Sequence, residues 1–180
     1  PDQPPVRPNL SLGDTLAALN AVIGTLLALY QTTKPKGKGQ VVDVAIYEAV
    51  YNVMESLVPE FDGNGTIRER SGSTLTGIVP TNTYLCNDKS YVIIGGNGDS
   101  IFKRLMKAIN RSDIAEDIRY ADNAGRVKHE KVIDDAINSW TQGLSSSEVI
   151  EILESAEVPC GPIYNVGDMI NDPHFKARNL

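Results

Sequence analysis

The sequence predicts a mixed α/β chain built in two parts, and three observations carry that reading. Residues 12–58 follow an α–turn–β–α order, as in a layered α/β domain. Residues 78–109 read as a hairpin, a glycine loop and a helix, an α+β pattern. Between them, residues 61–77 lose all periodicity. Composition agrees: the 180 residues are 41% hydrophobic and 22% charged, enough to bury a core and too apolar for a disordered chain. There are 23 acidic against 17 basic side chains, a net charge of -6, which argues against nucleic acid or an anionic membrane as partner. Two cysteines, Cys86 and Cys160, are too few for a disulfide scaffold and fit a reducing compartment. No CxxC, CxxH or HExxH pattern occurs, and His129 and His174 stand apart, so no metal site is expected. The chain opens on Pro1 without a methionine and closes just after a turn, so both ends are expected to be cuts through a longer protein.

Taken in order, Leu12, Leu16, Leu19, Ile23, Leu26, Leu27 and Tyr30 recur at helical spacing and predict a helix over Asp14–Tyr30. Ser11 and Asp14 both suit its start. Its most apolar stretch, Leu16–Tyr30, contains Asn20 and is expected to be too short to cross a bilayer. Pro35-Lys36-Gly37-Lys38-Gly39 stops it. The β-branched run Gln40–Ala45 predicts a buried strand. Ile46, Val50, Val53, Met54 and Leu57 predict a second helix, ended by Pro59. Strands are expected at Ile78–Cys86 and Ser90–Ile94, turned by Asn87-Asp88-Lys89. Gly95-Gly96-Asn97-Gly98-Asp99 then leads into a helix over Ser100–Ile109. Another helix is expected over Val127–Gln142, with Gly143 as its stop. Ser145 and Glu148 form a capping-box pattern for a helix through Glu154. Val158–Tyr164, rich in Pro and Gly, is expected to be extended.

Asp14 is the first candidate for chemistry. A carboxylate in the first turn of a helix meets the positive end of the dipole and backbone N–H groups, which favour the ionised form that a nucleophile needs. Gly13 lets a substrate approach closely. From the residues alone a plain helix cap is the more ordinary reading of Asp14, since Asp is common at that position. The glycines of the loop, Gly95, Gly96 and Gly98, are the second candidate. Glycines between strand and helix can expose N–H groups to an anion, yet neither a P-loop nor GxGxxG fits. They make either an ordinary turn or a mobile flap over a neighbouring site. Lys34, Lys36 and Lys38 read as a solvated loop, His129 and His174 as structural or surface groups, and Cys160 as a small buried residue.

Several segments together resemble the class III CoA-transferases, the L-carnitine dehydratase/bile-acid-inducible F (CaiB/BaiF) group. They are Leu12-Gly13-Asp14 before an apolar helix, and Gly37-Lys38-Gly39-Gln40-Val41-Val42-Asp43-Val44-Ala45. Gly72 with Ile78-Val79-Pro80, then Tyr91-Val92-Ile93-Ile94-Gly95-Gly96-Asn97, are similar to the family's small-domain hairpin and glycine loop. Val158-Pro159-Cys160-Gly161-Pro162-Ile163-Tyr164-Asn165 with Asp172-Pro173-His174-Phe175 and Ala177-Arg178 resembles its return segment.

The resemblance implies a division of the chain. Residues 1–58 would be the central part of a large Rossmann-like domain, 59–76 a linker, 77–157 a small α+β domain, and 158–180 a linker returning to the large domain. It also implies an interlocked homodimer in the cytosol or mitochondrion that moves CoA from an acyl-CoA donor to a small carboxylic acid. Asp14 would be the nucleophile, passing through an aspartyl-acyl anhydride and an aspartyl-CoA thioester. Gly95, Gly96 and Gly98 would form a flap over the acyl-CoA. Coenzyme A thioester enters as substrate, and no permanent cofactor or metal is implied. The family's nucleotide-binding segment would lie upstream of Pro1, so the isolated chain is expected to bind CoA weakly. Two other classes compete: an acyl-CoA racemase of the same superfamily, in which the matching aspartate does acid/base work, and a non-catalytic domain fragment.

Overall fold

The computed structural model describes residues 4–180, which divide into two compact units, one ending at Arg70 and one running Ser71–Leu180.

The first unit is built on α1, Leu12–Thr32, which begins two residues earlier than periodicity predicts. Two glycines let the following chain lie close against it. A Cβ on Gly13 would meet Ile46 Cγ2 at 2.9 Å, and one on Gly24 would meet Val42 Cγ1 at 2.7 Å. The run Gln40–Ala45 takes no regular secondary structure and is not a strand. A β-branched run favours the extended backbone, whereas a strand also needs a partner, and among the described residues none lies beside it. Helix α2 spans Ile46–Tyr51 and stops well short of the predicted end. Pro59 does not terminate a helix. It stands third in α3, Leu57–Asn64, where a proline's missing N–H has no helical partner to lose. Arg68 closes this segment on itself: Nε donates to Glu60 Oε2 at 2.7 Å and Nη2 donates to Ser56 Oγ at 2.6 Å. Hydrogen bonds to Glu60, from Arg68 first and then from Ser56 Oγ, which donates to Oε1 at 2.7 Å, hold its carboxyl down at about 2.

Among the described residues of this unit only Ala49 is buried. Leu19, Ile23, Leu26, Leu27 and Tyr30 of α1 stay exposed. With 21 residues and a mean hydropathy of 1.6 over an 18-residue window, α1 is by length and composition apolar enough to cross a membrane, which corrects the sequence-based expectation of a stretch too short to do so. Length and apolarity suit the core helix of a layered domain equally. Asp14, Asn20 and the two close-packed glycines are polar or small features on it.

In the second unit, β1 (Thr81–Leu85), β2 (Tyr91–Gly95) and β3 (Cys160–Pro162) form an antiparallel sheet in the order β1-β2-β3. Thr83 pairs with Ile93, and Ile94 pairs with Cys160. The extended run expected near Val158–Tyr164 thus supplies the third strand. β1 is shorter than predicted because residues 78–80 are committed elsewhere. Val79 N donates to Asn123 Oδ1 at 3.1 Å, Val79 O accepts from Arg126, and Pro80 has no N–H.

Strand alternation puts Val92 and Ile94 on one buried face. Helix α4 (Asp99–Ala108) adds Phe102, Leu105 and Met106 to that core. A short helix α5 (Ser112–Ala115) and a 3-10 turn at Ile118–Tyr120 follow. The helix expected over Val127–Gln142 is two helices, α6 (Asn123–Lys128) and α7 (Glu130–Thr141). They break at His129, whose ring packs edge-on against Tyr120 at 5.4 Å. Helix α8 (Ser146–Ser155) carries the expected capping box, with Ser145 N donating to Glu148 Oε2 at 2.8 Å. Two further helices, α9 (Val166–Asn171) and α10 (Pro173–Ala177), are capped by Asn165 and Asp172. The Asn165–Asp168 box and the Asp172-Pro173 pair were the available signals for them.

The β1–β2 turn is anchored by Asp88, whose Oδ1 accepts from Ser90 N at 3.0 Å and whose Oδ2 accepts from Ser146 N at 2.9 Å. Lys89 sits in the left-handed region at φ 64. A side chain there is strained and a glycine is not, so Lys89→Gly is expected to raise the unfolding free energy by about 1 kcal/mol in denaturant titrations.

Candidate functional site

Asp14 is the third residue of α1, so it is not the helix cap; that position belongs to Ser11, whose backbone carbonyl accepts from Thr15 N at 3.0 Å. The Asp14 side chain is exposed and makes no hydrogen bond or ion pair with any described residue. It stands at the positive end of a 21-residue helix, next to the close-packed Gly13. Its lone pairs are therefore uncommitted, as a carboxylate nucleophile's must be. A groove of about 300 Å³ opens in the same unit, lined by Asn20, Asp43, Glu48 and Asn52 among others, and Asp14 is not on its wall.

The glycine loop belongs to the second unit. Gly95 ends β2, and its N–H donates to Pro159 O at 2.9 Å. Gly96 N–H donates to Pro80 O at 2.9 Å. Those two donors are spent, so they are not on offer to an anion. The N–H groups of Asn97, Gly98, Asp99, Ser100 and Ile101 have no acceptor among the described residues. They line the entry of α4, with Gly98 as its cap residue at φ -70 and ψ 140. None of Gly95, Gly96 and Gly98 needs a left-handed backbone. What demands glycine at Gly96 is space: a Cβ there would meet Leu105 Cδ2 at 2.5 Å and Pro80 Cγ at 3.1 Å. A Cβ on Gly95 would meet nothing closer than 3.9 Å.

Arg126 lies under this loop, and sequence reasoning missed it. Its side chain is completely buried. Nη2 donates to Asn97 O at 2.7 Å and to Asp99 Oδ1 at 2.8 Å, Nε to Val79 O at 3.0 Å, and Nη1 to Tyr120 O at 3.2 Å. The guanidinium also packs on the Phe102 ring, 4.9 Å from its centroid. Stripping a buried charge of its hydrogen-bond partners costs about 3–5 kcal/mol, so the group and the loop are mutually dependent. One signal was present in the sequence. Arg126 is in helical phase with Ile133, Ile137 and Thr141, all buried, where an apolar side chain is the ordinary choice.

The remaining candidates fall outside any such constellation. Lys34, Lys36 and Lys38 are exposed, with Lys34 Nζ 4.9 Å from the Tyr30 ring centroid. His174 is exposed on α10. Burial pushes the Cys160 thiol up, away from the thiolate that nucleophilic work requires. Among the described residues no group of three or more His, Cys, Asp and Glu side chains is arranged to hold a metal.

The sequence model of CoA-transferase family III matches residues 1–180. The chain is 43% identical over 178 residues to a succinyl-CoA–D-citramalate CoA-transferase of Chloroflexus aurantiacus, covering 99% of this chain and 44% of that protein. It is 35% identical over 179 residues to the alpha subunit of a succinyl-CoA–L-malate CoA-transferase of Chloroflexus aurantiacus, covering 99% and 42%. Among solved structures, a CaiB/BaiF family protein from Brucella suis superposes with a TM-score of 0.75 at 29% identity, over 99% of this chain and 47% of that one. The chain thus spans less than half the length of these curated relatives.

The contrast between the two adjacent glycines is testable. Gly96→Ala is expected to lower unfolding stability by about 1–3 kcal/mol, because the loop must shift off Leu105. Gly95→Ala is expected to stay within about 0.5 kcal/mol of the parent in the same thermal or denaturant melts.

Proposed function

The chain belongs to CoA-transferase family III, and from that premise we propose that the protein moves coenzyme A from an acyl-CoA donor to a small carboxylic acid, with Asp14 as the group that carries the acyl. The observation that carries this reading is the uncommitted Asp14 carboxylate, exposed in the first turn of α1 beside Gly13. Asp14 Oδ attacks the thioester carbonyl carbon, the C–S bond breaks, and a mixed aspartyl-acyl anhydride and a CoA thiolate result. The thiolate then attacks the aspartyl carbonyl, releasing the donor acid and leaving an aspartyl-CoA thioester. An acceptor carboxylate attacks that thioester and expels CoA again. The thiolate finally attacks the acceptor's acyl carbon, giving the new acyl-CoA and restoring the Asp14 carboxylate. Activation is conserved at every step, so the reaction requires no external energy source, only the exclusion of water.

Each tetrahedral intermediate carries an oxyanion, which hydrogen-bond donors placed before the charge develops stabilise. The names of the two relatives support succinyl-CoA as donor and a short hydroxylated dicarboxylate as acceptor. The protein works as an interlocked homodimer in this proposal. Leu19, Ile23, Leu26 and Leu27 of α1 need apolar cover, which the rest of the protein or a second copy provides.

Asp14→Ala and Asp14→Asn are expected to lower kcat for transfer from succinyl-CoA by at least about a thousandfold. Melting should change by no more than about 0.5 kcal/mol, since the carboxylate has no partner to lose. Transfer surviving in Asp14→Ala would contradict the proposal. Exchange of the substrate's α-proton with deuterated water, without transfer, would assign the protein to acyl-CoA racemisation instead.

A further inference from the structure

We propose that Asn97 is a site of spontaneous modification: its side-chain amide is lost as ammonia through attack by the Gly98 nitrogen, while the chemically identical pair Asn64-Gly65 is held back by its own hydrogen bonds. The inference is independent of the CoA-transfer reading, and each pair lies within one unit. Asn-Gly occurs at these two places in the sequence and nowhere else. Glycine after asparagine favours the reaction, because no Cβ shields the attacking nitrogen. The Gly98 amide gives up its proton, and its nitrogen attacks Asn97 Cγ. The Cγ–Nδ2 bond breaks, ammonia leaves with the proton, and a cyclic imide remains. Water then opens one of the two imide carbonyls, leaving aspartate or isoaspartate.

Three features of the folded chain favour the reaction at Asn97. Its side chain is exposed and has no hydrogen-bond partner among the described residues, so it is free to turn towards Gly98. The Gly98 N–H has no acceptor among the described residues, so no bond has to break before the proton leaves. Arg126 Nη2 donates to the carbonyl of that same peptide at 2.7 Å, and a cation on the oxygen stabilises the negative charge that the peptide takes up. Asn64 lacks the first two. Its Oδ1 accepts from Thr66 N at 2.9 Å, which fixes the side chain, and Gly65 N donates to Phe61 O at 2.8 Å at the end of α3. Both bonds must open before the Gly65 nitrogen can reach Asn64 Cγ. The outcome at Asn97 alters the loop that Arg126 anchors. In the isoaspartyl product the chain runs through the former side chain, and the carbonyl held by Arg126 becomes a free carboxylate.

The test keeps the full chain in mildly alkaline buffer, folded and in parallel in denaturant, and follows both sites by peptide mass spectrometry. In the folded protein Asn97 is expected to convert at least about tenfold faster than Asn64, the factor set by the two hydrogen bonds that restrain Asn64-Gly65. In denaturant those bonds are gone and the two rates are expected to converge. Hydroxylamine, which attacks the imide, is expected to cut the folded chain after Asn97 and to spare the bond after Asn64. Gly98 sits at φ -70 and ψ 140, a backbone that any residue adopts, and a Cβ there would meet the mobile end of Ile101 at 3.3 Å. Gly98→Ala is therefore expected to fold, to slow conversion of Asn97 and to leave Asn64 unchanged. Asn97 converting no faster than Asn64 in the folded chain would overturn the proposal. So would a difference that persists in denaturant, since sequence rather than structure would then set it. Conversion of Asn97 at the parent rate in Gly98→Ala would overturn it as well.

Discussion

Arg126 is completely buried, and its four hydrogen bonds join stretches of backbone that neither the sheet nor a helix would otherwise bring together: Val79 before β1, Asn97 and Asp99 after β2, and Tyr120 before α6. A charge at that depth persists only when nearly every donor is matched, so the surrounding carbonyls are held as firmly as the guanidinium. The start of β1 and the loop after β2 follow from it. Val79 and Pro80 leave the ladder, and Pro80 O is free to take the Gly96 N–H. Leu105 closes over Gly96, and that contact forbids a side chain there. The loop is thereby tied to Pro159 and Pro80 through Gly95 and Gly96, and to Arg126 through Asn97 and Asp99.

The first unit is governed by the opposite condition. Ala49, the one buried residue among those described in it, cannot supply the apolar burial that a stable fold requires. Helix α1 displays a wide apolar side, and its two close-packed glycines draw the 42–46 segment onto it without covering the rest. Asp14 sits at the start of this helix, free of partners, and in this account its chemistry comes from that freedom and from its position in the first turn.

What was legible in the sequence was local. The 3.6-residue spacing in α1 and α4, the Ser145–Glu148 box and the alternation in β2 each depend on residues a few positions apart, and each is present. What failed depended on partners distant in the chain. Gln40–Ala45 has strand composition but no neighbouring strand. Helix α3 sits in a stretch without periodicity and is closed by Arg68 reaching back to Glu60 and Ser56. Asp14 could be singled out because its setting is one helical turn. The glycine loop could be singled out too, but which of its N–H groups are spent was invisible, since Pro80 and Pro159 are the acceptors. Arg126 carried no motif at all, because its partners lie up to 47 residues away.

The claim that most of this account turns on is that the Asp14 carboxylate becomes covalently acylated. Incubating the protein with succinyl-CoA, quenching with hydroxylamine and mapping the digest by mass spectrometry tests it directly. The account predicts a hydroxamate on the peptide carrying Asp14, formed only when the thioester is present. An unmodified Asp14 peptide under conditions where CoA transfer proceeds would contradict it.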